Sequence, residues 1–591
     1  MSFNKLLVQV SVTALLAAGA VSGMAQERLD PGFEALVDRY LEEVRGVGTD
    51  REPDTMSADS FARRVQVSRD LLGELEAIDR DGLAFVQDID WRFLKSLLDT
   101  NVIEGERVQR WRQDPRVYLD NRVAYKIVAD PRPVHTRAAE IVDDLELLQV
   151  RLGNAEANLD QHIPRWVELC HEIIDGFELV LHNELPPFAD RVSDGALREA
   201  LLAAGNDGIA ALGEYRRFLN EELPQREPGD YAVGADVFNA LMEKKYLFPE
   251  NSIHLRRIAR GAPAFSRVPN YHDWGWKQFN IVLRHLEAKG RTIDPESTWL
   301  EIIKREKQDH FFAEQLVYKH LEASRATRDW VIDNDLVTIP WDDDDAIMEA
   351  ADPSRWASQW WGFGPGVPVA SPFRKAAWTI IPISPDWPEH IADSNLTEKD
   401  ASFMYVIATH EVYPGHHLQR LYQNTLDRPL RVYESSYSNQ SWCYYIEWEL
   451  TPDPQYGWFP EDKQDVYELE YLRAKLWRMG RVIIDSGLHT GRMTYEQAVD
   501  LESNTIGFVR RGAQINIDGI ASRVGTTVSA PTLGYFQWML LREDYFQKMR
   551  ELDRKGTLKD FHDRVYNIGF LPVVLVREEM FHDLEQEYGK G

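Results

Sequence analysis

Leucine, isoleucine, valine and phenylalanine recur at three- and four-residue intervals through most of the chain after Pro31, with acidic and basic side chains between them. That period gathers the apolar positions onto one face of an α-helix. It predicts helices over 31–44 (PGFEALVDRYLEEV), 57–78, 165–185 and 197–223, all rich in strong helix formers. The pattern breaks at 338–390, where VTIPWDDDDA, WWGFGPGVPVASPF and AAWTIIPISPDWPEH gather Pro, Gly and Trp. Inside that stretch Ala376–Ile383 has the β-branched content of a short strand. Helical periodicity returns from about Leu396. The expectation is a mostly α fold of one catalytic unit in two lobes: an N-terminal lobe of about 26–337, an irregular segment 338–395, and a motif-bearing lobe 396–591.

Residues 1–25 read as an export signal: one Lys, an apolar stretch from Leu6, and Gly23 and Ala25 suited to cleavage before Gln26. No later stretch is apolar enough to span a bilayer. The expected location is periplasmic or secreted, with no membrane attachment after cleavage.

Charge narrows the partners. Of 591 residues, 96 are acidic and 67 are Lys or Arg, a formal net charge of -29. Phosphate binding relies on Lys and Arg displacing counterions, so nucleic acid is not expected. Two cysteines, Cys170 and Cys443, exclude a disulfide scaffold and a Cys-based zinc ribbon; Cys443, among aromatic residues, reads as inert core. Asp342–Asp345 lack the spacing and turn glycine of a calcium loop and read as a solvated loop.

The chemistry concentrates in ASFMYVIATHEVYPGHHLQRLYQ (401–423). A His followed by Glu on a helix, with further His downstream, suits a metal-dependent hydrolase. Imidazoles hold zinc while the carboxylate takes a proton from metal-activated water. The second His is expected four residues on, but position 414 is Pro, and the next histidines stand six and seven residues after His410. On an unbroken helix His417 lies about 20° from His410 but roughly 10.5 Å along the axis, and His416 about 120° away. Pro414 cannot donate to the carbonyl of His410, so a kink or bulge is expected, eased by Gly415. A bulge absorbing two residues returns His416 to the ligand position, which favours His410 with His416 and leaves His417 as the alternative.

HEVYPGHHLQ (410–419) resembles the signature of the bacterial domain of unknown function 885 family. SWCYYIEWEL (441–450), RMGRVIIDSGLHTGRMTYEQA (478–498) and LKDFHDRVYNIGFLPVVLV (558–576) resemble the same family. The resemblance implies a helical zinc-peptidase-like fold and a peptide-bond hydrolase with one Zn2+ per chain. In the related peptidases a Glu some 25–30 residues beyond the first His completes the metal site. Where the family has Glu-Gly-Trp, this chain has Gln440-Ser441-Trp442. Gln offers only a neutral oxygen, a weaker zinc ligand than carboxylate. Glu447, seven residues on and on the same helical face, and Glu434 are the other candidates for the third ligand. VSAPTLGYFQWM (528–539) is similar to a family segment that offers Tyr535 to steady an oxyanion.

Arg481, Asp485 and His489 stand at four-residue steps on an apolar helix. Such a stripe must be paired or functional. Either Arg481 or His489 holds a substrate carboxylate or supports the metal, or Arg481 and Asp485 form a structural ion pair. The sequence therefore points to an exported zinc peptidase with Glu411 as general base and Tyr535 or His489 near the oxyanion. The alternative, motivated by Gln440, is a catalytically weakened peptide-binding protein on the same fold. A glycoside hydrolase is a distant third, since it leaves HEVYPGHH unexplained.

Overall fold

The computed structural model describes residues 29–589 apart from 47–53, 121, 129, 131, 249–252, 259–266, 357–358, 367–373, 376, 385–386 and 434. The export signal expected at 1–25 and the candidate ligand at 434 lie outside the described residues. Among the described residues the structure is mostly helical (72% helix, 2% strand), so the layers are helix against helix. The four helical patterns appear as Pro31–Arg39, Ala58–Glu76, Pro164–Leu179 and Gly195–Glu221, three of them running on for a further turn or so. Local chemistry marks their starts: Ser57 accepts from the backbone N–H of Ser60, and Asp194 from those of Ala196 and Leu197.

Two apolar cores organise the packing. The smaller lies within residues 118–223, where Val134–Asn158 packs against Gly195–Glu221 through Leu145, Leu148 and Leu212. The larger runs from Phe33 to Leu584 and holds the motif-bearing helices. In that half, α1 (Ala401–Glu411), α2 (His416–Gln423), α3 (Ser436–Tyr445), α4 (Gln464–His489), α5 (Arg510–Ser522) and α6 (Ala530–Glu551) surround one cavity. Among the described residues no helix is long and apolar enough to cross a membrane.

The expected strand is shorter than predicted. Ala377–Ile380 pairs in parallel with Ile347–Ala350 and antiparallel with Gly362–Gly366. Pro382, which lacks an N–H, follows the end of the ladder. The sheet borders the cavity through Gly362, Trp378 and Ile380. The aspartate run is not wholly solvated. Asp344 is fully buried, pairs with Arg328 at 3.1 Å, and carries contacts that hold the signature turn.

Candidate metal and catalytic centre

Helix α1 opens with Asp400 accepting from the N–H groups of Ser402 and Phe403, and that carboxylate is anchored by Lys307. The helix stops at Glu411, and α2 begins at His416. Between them the chain folds back on itself. A Cβ on Gly415 would lie 1.7 Å from the carbonyl oxygen of His410, so only glycine permits this approach. The turn is tied down on three sides. Tyr413 donates to Asp344 Oδ2 at 2.9 Å, His417 Nε2 meets the Asp344 carbonyl, and Tyr566 donates to the Pro414 carbonyl. The local result is a break rather than a kink. It brings the His410 and His416 rings together at 84°, with centroids 4.8 Å apart.

Neighbours set which nitrogen each ring offers. The Nδ1 of His410 lies against the fully buried Glu447 carboxylate, which also has Arg478 at 3.6 Å. Its Nε2 stands 4.0 Å from Glu411. For His416 the orientation follows from an amide relay. Gln419 donates to the Asn439 carbonyl at 3.0 Å and accepts from the Asn439 side chain at 2.7 Å. Its Oε1, 2.9 Å from His416 Nδ1, is therefore an acceptor, and Nδ1 carries the proton. The lone pair of His416 then sits on Nε2, 2.9 Å from the amide nitrogen of Gln440.

Two imidazole nitrogens with their far edges fixed by a carboxylate and an amide match the way proteins orient metal-binding histidines. The donor set could hold a divalent cation such as zinc: His410 and His416 would supply imidazole nitrogens and Gln440, on rotation, a neutral amide oxygen. Glu447 sits behind His410, on the nitrogen away from Glu411. Gln440 and Glu447 share one face of the 436–450 segment and meet different rings. Cys443 lies between them, its sulfur 3.5 Å from His416 Nδ1, and His410, His416 and Cys443 have ligand-type atoms within 4.8 Å of one another.

Glu411 lines the cavity, and its Oε2 is buried without a hydrogen-bond partner among the described residues. Burial holds its carboxyl above the ordinary range, against the pull of His410 and Arg478. Burial pushes His416 well below the usual imidazole value, with the charge of His410 adding to the effect, which favours its neutral, metal-binding form. The cavity is about 510 Å³ and receives walls from α1 to α6.

The remaining predicted residues are placed elsewhere. His417 is fully buried and faces Asp344 and the Tyr413 ring. Tyr535 donates to Glu449 at 2.6 Å and does not line the cavity. His489 is fully buried, 3.6 Å from Asp485 and against the Ile520 carbonyl. Asp485 makes no ion pair with Arg481; it accepts from the N–H groups of Thr526 and Ser529 and so holds the turn before α6. Arg481 does line the cavity and donates to the Tyr444 hydroxyl at 3.0 Å. Sequence reasoning passed over the Gln419–Asn439 relay, Tyr444, Arg478 and Arg523. For Asn439, Tyr444 and Arg478 the available signal was polarity at apolar-face positions of α3 and α4; Gln419, on α2, and Arg523, after α5, lie outside those helices.

No curated protein matches this chain. Two solved structures share its fold. One, from Shewanella oneidensis, is a protein of unknown function provisionally termed a lipoprotein. It is 16% identical, with a TM-score of 0.68 over 93% of this chain and 98% of its own. The other, from Colwellia psychrerythraea and also provisionally termed a lipoprotein, is 14% identical, with a TM-score of 0.70 over 94% and 100%. The family model for bacterial proteins of unknown function, DUF885, matches residues 42–580, and the chain belongs to that family.

Proposed function

We propose that this protein is an exported, metal-dependent hydrolase of peptide bonds, built on a two-lobed helical frame of the zinc-peptidase kind. One observation carries the reading: the Gly415 turn sets the His410 and His416 rings at 84° beside Glu411, whose Oε2 has no hydrogen-bond partner among the described residues, on the wall of a 510 Å³ cavity. A metal held by His410 and His416 would supply Lewis acidity at the scissile carbonyl. Glu411 takes a proton from the attacking water and returns it to the leaving amine; its burial raises its basicity for that exchange. Glu447 and Gln419 keep the two rings in register throughout. Export is supported by the signal-like first 25 residues and by the lipoprotein names of the two structural relatives.

A second reading, a peptide-binding protein without turnover, is favoured by Gln440, whose amide stands against the lone pair of His416 where a carboxylate ligand is expected. Elemental analysis of the dialysed protein beside a Gln440→Glu variant separates the two. About one zinc per chain together with peptide cleavage that Glu411→Gln abolishes supports the hydrolase. Little metal in the native chain and full occupancy in the variant supports the binding protein.

A further inference from the structure

The cavity reverses the charge of the molecule that contains it. The chain carries -29 overall, yet among the described residues lining the cavity Glu411 is the only carboxylate, against Arg420, Arg478, Arg481 and Arg523. A cluster of guanidinium groups facing one space is costly unless something neutralises it. Two of the four have visible occupations. Arg478 reaches Glu447 at 3.6 Å and lies over the Trp477 ring at 3.9 Å, and Arg420 donates to Gln423 at 3.3 Å.

Arg481 and Arg523 are different. Arg481 rests on Trp477, 4.3 Å from the ring centre; it donates to the Tyr444 hydroxyl, and its buried Nε has no partner among the described residues. Arg523, an exposed side chain that lines the cavity, has no carboxylate within ion-pair distance among the described residues. Burial and the charges of Arg478 and Arg523 together pull Arg481 down to about 10, against Tyr444 and Glu502, which raise it. Among the described residues neither arginine has a carboxylate within ion-pair distance, and the two are near enough for the charge of Arg523 to pull Arg481 down. Asp485, a structural acceptor, fixes the 526–529 turn that follows Arg523.

Tyr444 gives the patch a position relative to the chemistry. Its ring lies 5.8 Å from that of His410, while its hydroxyl meets Arg481. Arg481 is therefore one aromatic ring away from His410, and Arg523 lines the same cavity. An extended peptide advances about 3.3–3.6 Å per residue, so the patch is within one to three residues of a bond held at His410.

We propose that Arg481 and Arg523, with Tyr444, form a carboxylate-binding subsite that selects peptides bearing an anionic group within three residues of the bond at the histidines. The identity of the ligand as a peptide rests on the hydrolase reading. A planar guanidinium accepts a carboxylate in a two-point fork, which gives orientation as well as attraction. The carboxylate has two sources: the free C-terminus of a short peptide, or an Asp or Glu side chain.

The test is calorimetric binding of a matched peptide set to the Glu411→Gln chain, which keeps peptides uncut. The set comprises tetra-alanine with a free or amidated C-terminus, and amidated tetrapeptides with Asp or Glu against Asn or Gln. The expected result is an affinity for an acidic peptide about 10- to 100-fold above that of its neutral twin. Preference for the free C-terminus identifies that source, and preference for acidic side chains in amidated peptides identifies the other. Adding Arg481→Gln should remove the preference while leaving neutral peptides unaffected, and Arg481→Lys should restore part of it. Arg523→Gln, at a side chain open to the cavity, should reduce the preference even where the buried Arg481→Gln chain fails to fold. Equal affinity for acidic and neutral twins, or a preference untouched in the arginine variants, overturns the subsite. Turnover by the native chain is measured separately. Binding preference without turnover retains the subsite and sinks the hydrolase, whereas turnover indifferent to charge does the reverse.

Discussion

The two cores of this protein are built on different terms. The smaller, within residues 118–223, buries few charged groups (Asp130, Arg137 and Arg151, the last paired with Asp120 at 2.7 Å), and its buried Tyr118 and Tyr215 hydroxyls are satisfied by the backbone carbonyls of Trp111 and Pro115. The larger surrounds α4, which buries Glu470, Arg473, Arg478, Asp485 and His489 along one helix. Apolar packing is non-directional and tolerates exchange of similar volumes. Buried charges are costly, and truncating one partner strands the other. The first core therefore reads as ballast for folding, and the second as a scaffold that holds particular groups at particular places around a cavity.

Substitutions on either side should separate these roles. The largest effect is expected from Glu411→Gln, which removes the proposed base while keeping its shape. Cleavage should fall by about 10²- to 10⁴-fold with thermal stability nearly unchanged. An active variant would remove Glu411 from the mechanism. The matching change in the other core is Leu148→Ala, at a fully buried position. It should cost about 2–5 kcal/mol in denaturant unfolding and leave kcat of the folded fraction intact. A selective loss of activity there would show that the two cores are not independent.

An intermediate effect is expected from Asp485→Ala. Two N–H groups, of Thr526 and Ser529, lose their acceptor, which should cost about 1–3 kcal/mol. Because that turn follows Arg523, acidic peptides should also bind less well, while neutral ones do not. Unchanged discrimination would mean that Arg523 is placed by other contacts.

The contrast also explains what the sequence discloses. Helices in the apolar regions are legible because burial there follows the 3.6-residue period, as in 197–223. The break at Pro414 and Gly415 is legible from the missing N–H and the missing Cβ. What periodicity does not carry is assembly across elements. Tyr444, Arg481 and Arg523 come from α3, α4 and the turn after α5, and nothing in their spacing brings them together. Glu447 is recognisable as a companion of the histidines. Its place behind His410, away from Glu411, depends on how the 436–450 segment lies against α1. The relay from Asn439 through Gln419 to His416 is invisible for the same reason: amides on two helices acquire meaning only when packed. Asp344 shows the opposite failure, since a run of four aspartates reads as solvent-exposed while its third member anchors the signature turn.

The smallest predicted effect concerns pH and bears on the cost of building with buried charge. Glu502 is fully buried, accepts from Trp477 and Asn516, and has an Oε2 without a partner among the described residues. Burial raises its carboxyl from an ordinary 4.5 to about 8, with Arg481 opposing the shift. Between those values the folded chain retains a proton that the unfolded chain has released. Stability from this group is therefore complete below about pH 4.5 and declines as pH rises towards 8. Glu502→Gln preserves the amide-like contacts and cannot ionise, so its melting temperature should fall less steeply than that of the native chain between pH 5 and 8. Parallel melting curves across that range would show that Glu502 is already ionised in the folded state. Its charge would then partly neutralise Arg481, and the cavity would hold less unbalanced positive charge than the carboxylate subsite requires.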